Sequence, residues 1–175
     1  MNPVIRVRAA VPDDAADILQ LVTELADYEK LSHDVTGTAA DLCAHLSGPQ
    51  PFAHALLAYA DEQLAGFALY FHNYSTFRCR PGIYLEDLFV RPHFRRLGIG
   101  RRLLVQLAQT AVTTRCARIE WAVLDWNAPS IEFYKRLGAR PMDEWTTFRL
   151  TGEELTRLAT GGSADRATTA PPPRA

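Results

Sequence analysis

Tyr84-Leu85-Glu86-Asp87-Leu88-Phe89-Val90-Arg91-Pro92-His93-Phe94-Arg95-Arg96-Leu97-Gly98-Ile99-Gly100-Arg101 is the stretch on which the reading of this chain turns. A bulky apolar run ends at Val90, a short basic loop follows, and two glycines open an amphipathic segment reaching from Leu97 to Arg115. That pattern predicts a strand over about 83–90, a loop and a long helix. The first backbone N–H groups of such a helix have no internal partners, and with the helix dipole they form an anion site facing the loop. Glycine at 98 and 100 lets a pyrophosphate approach the backbone closely. Glu86 and Asp87 interrupt the apolar run, where a charge needs a reason. Successive strand residues face opposite ways, so these two carboxylates share a face only if the strand bulges.

Two familiar phosphate loops are excluded. Gly98-Ile99-Gly100-Arg101-Arg102-Leu103 lacks the third glycine of a dinucleotide fingerprint, and the segment lies in mid-chain rather than opening a βαβ unit. A Gly-Lys-Ser/Thr triplet is absent. What remains is Arg95-x-x-Gly98-x-Gly100 after a strand, which by itself is also compatible with an ordinary glycine-rich turn.

Outward from this core, Ile5, Val7 and Ala9 alternate with Arg6 and Arg8 as a first strand. Pro12-Asp13-Asp14 opens a helix whose apolar positions Ile18, Leu21, Val22 and Leu25 keep one face, fraying near Tyr28-Glu29-Lys30. Thr38-x-x-Asp41 starts a second helix that ends by Gly48-Pro49. Residues 55–60 and 64–74 read as a hairpin turning at Asp61-Glu62-Gln63, with a loop over 75–82. Strand 118–124, a helix from Asn127-Ala128-Pro129-Ser130 to Gly138, a strand over 145–150 and a helix capped by Thr151-x-x-Glu154 complete the order. The expected fold is α/β of the α+β kind, a mixed and mostly antiparallel sheet flanked by helices. Residues 1–159 read as one domain. Residues 160–175, rich in Gly, Ala, Thr and Pro, read as a disordered tail.

The chain has 175 residues, 47% apolar and 22% charged, as one globular domain should. Nineteen basic and twenty acidic residues leave a net charge of -1, without the basic excess of a nucleic-acid groove. Cys43, Cys79 and Cys116 are odd in number and widely spaced, which excludes a closed disulfide framework and a Cys-x-x-Cys zinc pair. The histidines lack metal-ligand spacing, so no metal is expected. No signal segment and no run of 18 apolar residues appears, so no membrane is expected and the setting reads as cytoplasmic.

A second motif, Trp126-Asn127-Ala128-Pro129-Ser130-Ile131-Glu132-Phe133-Tyr134-Lys135-Arg136-Leu137-Gly138-Ala139, lies about 30 residues beyond the first. With Arg95-x-x-Gly98-x-Gly100, in that order and spacing, it resembles the Gcn5-related N-acetyltransferases (GNAT). Over residues 4 to about 158 the resemblance is closer to the spermidine/spermine and thialysine acetyltransferase subfamily, through Asp27-Tyr28-Glu29-Lys30, Pro51-Phe52-x-His54, Gly66-Phe67-Ala68-Leu69-Tyr70 and Tyr84 to Val90. Arg96 stands where that subfamily usually has glycine, and the segment between Ala139 and Trp145 is shorter.

The resemblance implies a bulged strand, splayed strands that form an acetyl-CoA cleft, and direct transfer of acetyl to a small amine: a polyamine, a diamine, or a thialysine- or lysine-like compound. It implies that Glu86 binds the amine and relays its proton, directly or through water, and that Tyr134 protonates the departing thiolate. Acetyl-CoA is expected at Leu88, Phe89, Val90, Arg95, Arg96, Leu97, Gly98, Ile99, Gly100, Arg101, Asn127, Ser130 and Tyr134. The amine is expected at Tyr28, Glu29, Glu86, Asp87 and Trp145. Asn127 serves equally as a helix cap, Trp145 as core, and Arg102 and Arg115 as solvated helix charges. A homodimer is expected. The rival readings are acetylation of a protein lysine or N-terminus, and an acyl-CoA sensor without turnover.

Overall fold

The computed structural model describes residues 3–161, and the tail expected over 160–175 lies outside them from residue 162 onward. Two compact units divide the chain, Met1–Leu124 and Asp125–Ala175.

The first unit is built on a five-stranded sheet in the order β1-β2-β3-β4-β5: Ile5–Ala9, His54–Ala60, Gln63–Ser75, Arg80–Val90 and Ile119–Glu120. The first four strands are antiparallel, and β5 joins β4 in parallel through Ile83↔Ile119 and Tyr84↔Glu120. Helix α1 (Ala15–Glu29), entered through a 3-10 turn at Pro12–Asp14, lies with α2 (Ala39–Leu46) on one face. Its apolar stripe, Ile18, Leu21 and Leu25, packs on Ala55, Leu57, Phe67 and Phe89. Helix α3 (Ile99–Thr113) covers the other face, setting Ile99, Leu103, Leu107 and Ala111 against Leu56, Ala68, Ile83 and Leu85. Each helix thus buries the stripe that its 3.6-residue period predicts. The capping box of α2 forms as expected, with Asp41 N–H donating to Thr38 Oγ1 and Thr38 N–H to Asp41 Oδ2.

Strand β4 is anchored at its end. Arg91 N–H donates to Ala65 O at 2.9 Å, and its guanidinium grips both oxygens of Glu24 at 2.8 and 2.7 Å while also reaching Leu64 O. This half-buried bidentate pair ties the strand's end to α1. Close by, Gly66 faces Val90 across the ladder, and a Cβ there would lie 2.3 Å from Phe89 O. Here glycine is a requirement of strand approach.

The second unit contains α4 (Ala128–Arg136) and α5 (Gly152–Ala159). Asn127 caps α4 by accepting from Ser130 N–H at 3.3 Å, with Pro129 in the first turn and Gly138, at φ 90°, just past the end. Thr151 stands at the start of α5 without a side-chain capping hydrogen bond, contrary to expectation.

The expected strand over 145–150 is absent among the described residues. Trp145 falls on one parity and Phe148 and Leu150 on the other, so a strand there would have no single face to bury, and all three are exposed. The strand expected over 118–124 contracts to two residues, Ile119 and Glu120, paired with Ile83 and Tyr84 of β4. The loop expected over 75–82 is shorter, since pairing continues through Asn73↔Gly82, Tyr74↔Pro81 and Ser75↔Arg80. Pro81 cannot donate, yet its carbonyl accepts from Ala117 N–H at 2.7 Å.

Gly66→Ala is expected to lower stability by roughly 1–3 kcal/mol, because the contact is with backbone and cannot relax by side-chain rotation. Urea unfolding checks this; an unchanged midpoint would mean that the strands do not approach so closely.

Candidate active site

The ladder between β3 and β4 runs Leu69↔Asp87 and then Tyr70↔Leu85, leaving Glu86 as an extra residue. The parity of the strand switches across it. Ile83 and Leu85 pack on the α3 face, as do Leu88 and Val90, whereas Phe89 packs on the α1 face. A bulge of this kind lets two consecutive side chains share a side. Glu86 and Asp87 both line one cavity of about 410 Å³ between the sheet and α1. The condition the sequence set for sharing a face is met.

Glu29, at the last turn of α1, and Asp34, in the 3-10 turn after it, line the same cavity. Leu19, Val22, Leu25, Leu31 and Val35 supply apolar wall, and among the described residues no Lys, Arg or His side chain contributes. Burial is the largest cause that pushes the Asp87 carboxyl up to about 6, followed by repulsion from Glu86 and from Glu29. Burial also raises Glu29. Glu86 itself is exposed, so Asp87 is the more sheltered of the pair. The cavity is acidic on one side and apolar in the rest of its lining.

The segment expected to bind an anion is the start of α3. Gly98 is the N-cap at φ 79°, no side chain caps the helix, and its first turn holds no acidic residue. A Cβ on Gly98 would meet nothing within 4 Å, so glycine is needed there for its left-handed backbone rather than for space. Arg96 adopts φ 67°, a conformation that costs a non-glycine residue about 1 kcal/mol or more. Arg95 donates from Nε to Val90 O at 3.0 Å and lays its guanidinium 4.6 Å over the ring of Tyr28, joining the loop to the end of α1. Arg101 is exposed, while Arg102, expected to be solvated only, donates to Ile5 O at 3.1 Å. The uncapped N–H groups, the glycine and the adjoining arginines suit a phosphate-bearing donor.

Other expected contacts are narrowed. Phe89 and Ile99 bury their side chains in the core, which leaves their main chain for a ligand, while Leu88, Val90 and Leu97 pack against the core and stay partly exposed. Beyond Tyr84 no strand of the described residues flanks β4 on the β5 side, which leaves that edge open from Leu85 to Val90. In the second unit, Asn127 is buried and engaged as a cap, Ser130 is half-buried, and the ring of Tyr134 lies 5.3 Å from that of Phe133. Trp145 is 71% exposed and its N–H closes a turn onto Met142 O at 3.1 Å.

Sequence reasoning missed three features. Asp34 reads as a polar turn residue, and nothing local marks it as facing a cavity. The Arg91–Glu24 pair spans 67 positions, and the Arg95–Tyr28 stack likewise joins distant segments.

Asp87 has a folded-state value near 6, above the ordinary carboxylate value, so folding favours its neutral form. Stability from this group is present below about pH 4 and is lost as the pH rises through 6, by up to roughly 3 kcal/mol. Asp87→Asn is therefore expected to be more stable than the wild type at pH 8, with the gain vanishing near pH 4. Urea unfolding across that range checks it; a pH-independent difference would contradict the burial.

Residues 18–139 match the profile of the Acetyltransferase (GNAT) family. The chain is 38% identical over 165 residues to the thialysine N-epsilon-acetyltransferase of Mus musculus, covering 88% of this chain and 96% of that protein. It is 31% identical over 195 residues to the L-ornithine N5-acetyltransferase of Arabidopsis thaliana, covering 86% of each. Among solved structures, an integron cassette protein from the mobile metagenome of V. cholerae aligns with a TM-score of 0.75 at 26% identity, over 89% of this chain and 97% of that one. An aminoglycoside acetyltransferase from an uncultured soil metagenomic sample shares the fold, with a TM-score of 0.73 at 15% identity over 85% and 97%. The chain belongs to the acetyltransferase (GNAT) family and is an N-acetyltransferase.

Proposed function

We propose that residues 1–159 act as one domain that transfers acetyl from acetyl-CoA directly to a primary amine of a small molecule, with no covalent enzyme intermediate. The observation that carries the acceptor is the shared cavity of Glu86 and Asp87, with Glu29 beside them. The relatives named above for thialysine and ornithine support an amine of this size.

An alkylamine has a pKa near the lysine value of ~10.4, so at pH 7 only about one molecule in 2,500 is uncharged. The site must first attract an ammonium ion and then take its proton. Glu86 and Asp87 supply the field, and Glu86 accepts the proton directly or through water. A carboxyl near 6 at Asp87 is also matched to proton exchange close to neutral pH. The freed nitrogen attacks the thioester carbon; an N–H from the open edge of β4, near Leu88, is the donor for the oxygen that becomes negative. The carbon–sulfur bond breaks as the amide forms; by resemblance, Tyr134 gives its proton to the leaving thiolate, and the second proton shed by the nitrogen restores the phenol. With a phenol near 10 and a thiol near 8.5, that transfer is uphill by roughly 2 kcal/mol unless the surroundings help.

Arg95, Arg96, Arg101 and the N–H groups at Gly98, Ile99 and Gly100 hold the pyrophosphate of the donor, with Asn127 and Ser130 on its pantetheine arm. Tyr28 closes the amine pocket under Arg95, and Trp145 is assigned to its wall by resemblance. The reading includes a homodimer, again by resemblance, and a cytoplasmic setting, which agrees with three free cysteines. No helix of the described residues is long and apolar enough to cross a membrane.

Thiol release from acetyl-CoA against spermidine, putrescine, lysine, thialysine and a lysine peptide is the test. Release with a small amine is expected, with Glu86→Gln lowering kcat/KM by about 100-fold or more. Tyr134→Phe is expected to lower kcat while leaving the affinity for acetyl-CoA intact. Release with the peptide alone would move the acceptor to protein lysines, and binding of acetyl-CoA without any release would indicate a sensor.

A further inference from the structure

Arg95 touches two regions at once. It opens Arg95-x-x-Gly98-x-Gly100, proposed above for the donor's pyrophosphate, yet its guanidinium carbon lies 4.6 Å over the ring of Tyr28 in the last turn of α1. The backbone beneath it is set by a 3-10 turn at Pro92–Phe94, with Phe94 N–H on Arg91 O at 2.9 Å and Arg95 N–H on Pro92 O at 3.2 Å. Three contacts then hold the side chain. Nε donates to Val90 O at 3.0 Å, the Tyr28 ring is the nearer aromatic neighbour, and the buried Phe89 ring is a second at 5.9 Å. Among the described residues neither Nη of Arg95 makes a hydrogen bond or an ion pair, so both can donate to a phosphate. A long side chain loses rotamer freedom when a ligand immobilises it, and here part of that loss precedes the ligand.

Tyr28 stands one residue before Glu29, which lines the acidic cavity. Charge does not carry the influence of Arg95 to that cavity. Burial alone raises the Glu29 carboxyl, and burial, Glu86 and Glu29 raise Asp87, with no arginine among the causes. The connection is the ring. Past it, Lys30 closes α1 in the left-handed conformation, its N–H on Asp27 O at 3.2 Å and that of Leu31 on Ala26 O at 2.8 Å.

From this geometry we infer that Arg95 and Tyr28 couple the donor site to the end of α1. The ring of Tyr28 holds Arg95 ready for the donor's phosphate, and the bound donor in return holds the last turn of α1 and with it Glu29. Tyr28 is a positioning residue for the donor, in addition to the place beside the amine that resemblance gives it. The two effects are one coupling free energy and are equal in size. The inference rests on the donor site proposed above.

The contact is made by the ring, so phenylalanine keeps it and leucine does not. Tyr28 is 37% exposed and Arg95 is exposed, so neither replacement opens the core. The experiment is calorimetric titration of acetyl-CoA, without any amine, into the wild type, Tyr28→Phe, Tyr28→Leu, Arg95→Gln and the Arg95→Gln/Tyr28→Leu double variant. Leaving the amine out removes any direct part that Tyr28 plays in holding it. Tyr28→Leu is expected to weaken Kd about fourfold, the size of an exposed cation–π contact, and Tyr28→Phe to weaken it by less than about 1.5-fold. With Arg95 already replaced, Tyr28→Leu should cost less than about 1.5-fold. Saturating acetyl-CoA should also slow amide hydrogen exchange at Lys30 and Leu31 by a similar factor in the wild type and in Tyr28→Phe, and not in Tyr28→Leu. An unchanged Kd in Tyr28→Leu, an equal loss in Tyr28→Phe, or the same loss without Arg95 would overturn the inference and leave the donor site standing. So would exchange at Lys30 and Leu31 that acetyl-CoA does not alter in the wild type. Failure of the wild type to bind acetyl-CoA at all would overturn the proposed function, and this inference with it.

Discussion

One extra residue in β4 organises the candidate acceptor site. Without the bulge at Glu86, alternation would send Glu86 and Asp87 to opposite faces, one carboxylate toward α1 and the other toward the apolar face packed by α3. With it, both enter the cavity beside α1, and the strand keeps burying Leu85 on one side of the bulge and Leu88 on the other. The same irregularity bears on β5. Parallel pairing stops at Tyr84, two residues before the bulge, which leaves the edge of β4 open where a donor can lie. The acidic pocket and the open edge thus lie on neighbouring residues of one strand.

Holding these carboxylates near each other works against folding, and the surrounding structure supplies the restraint. The Arg91–Glu24 pair fixes the end of β4 to α1, and Arg91 also bonds the chain at Leu64 and Ala65. Here a charge is met by its opposite with good geometry, which lowers the Glu24 carboxyl, whereas Asp87 is met by burial and like charge, which raises it. The two acids thus sit in opposite conditions in one unit, one in a structural ion pair and the other sheltered among like charges. The Arg95–Tyr28 stack adds a physical link between the loop before α3 and the end of α1.

Much of this was legible from the chain because the signals are local. The stripe Ile18, Leu21 and Leu25, the Thr38 capping box, the Asn127 cap and the glycine opening of α3 each depend on residues within one or two turns. From the residues alone the bulge was a condition, since two adjacent carboxylates in an apolar run demand it if both are to face one cavity, and the family resemblance implied it outright. Where partners lie far apart in sequence, reading failed. β5 was overestimated because its length is set by what β4 does. The strand over 145–150 was inferred from bulky residues whose parity is inconsistent, and Asp34 gained its place only from the path of the turn after α1.

The most direct test of the central claim is a carbon-detected NMR titration of the Asp87 carboxyl in the wild type and in Glu86→Gln. The account predicts a value near 6 in the wild type and a lower one in the variant, because one of the two neighbouring charges that raise it is removed. A value in the ordinary carboxylate range near ~4, unmoved by Glu86→Gln, would place the two side chains on opposite faces of the sheet and contradict the shared acidic cavity.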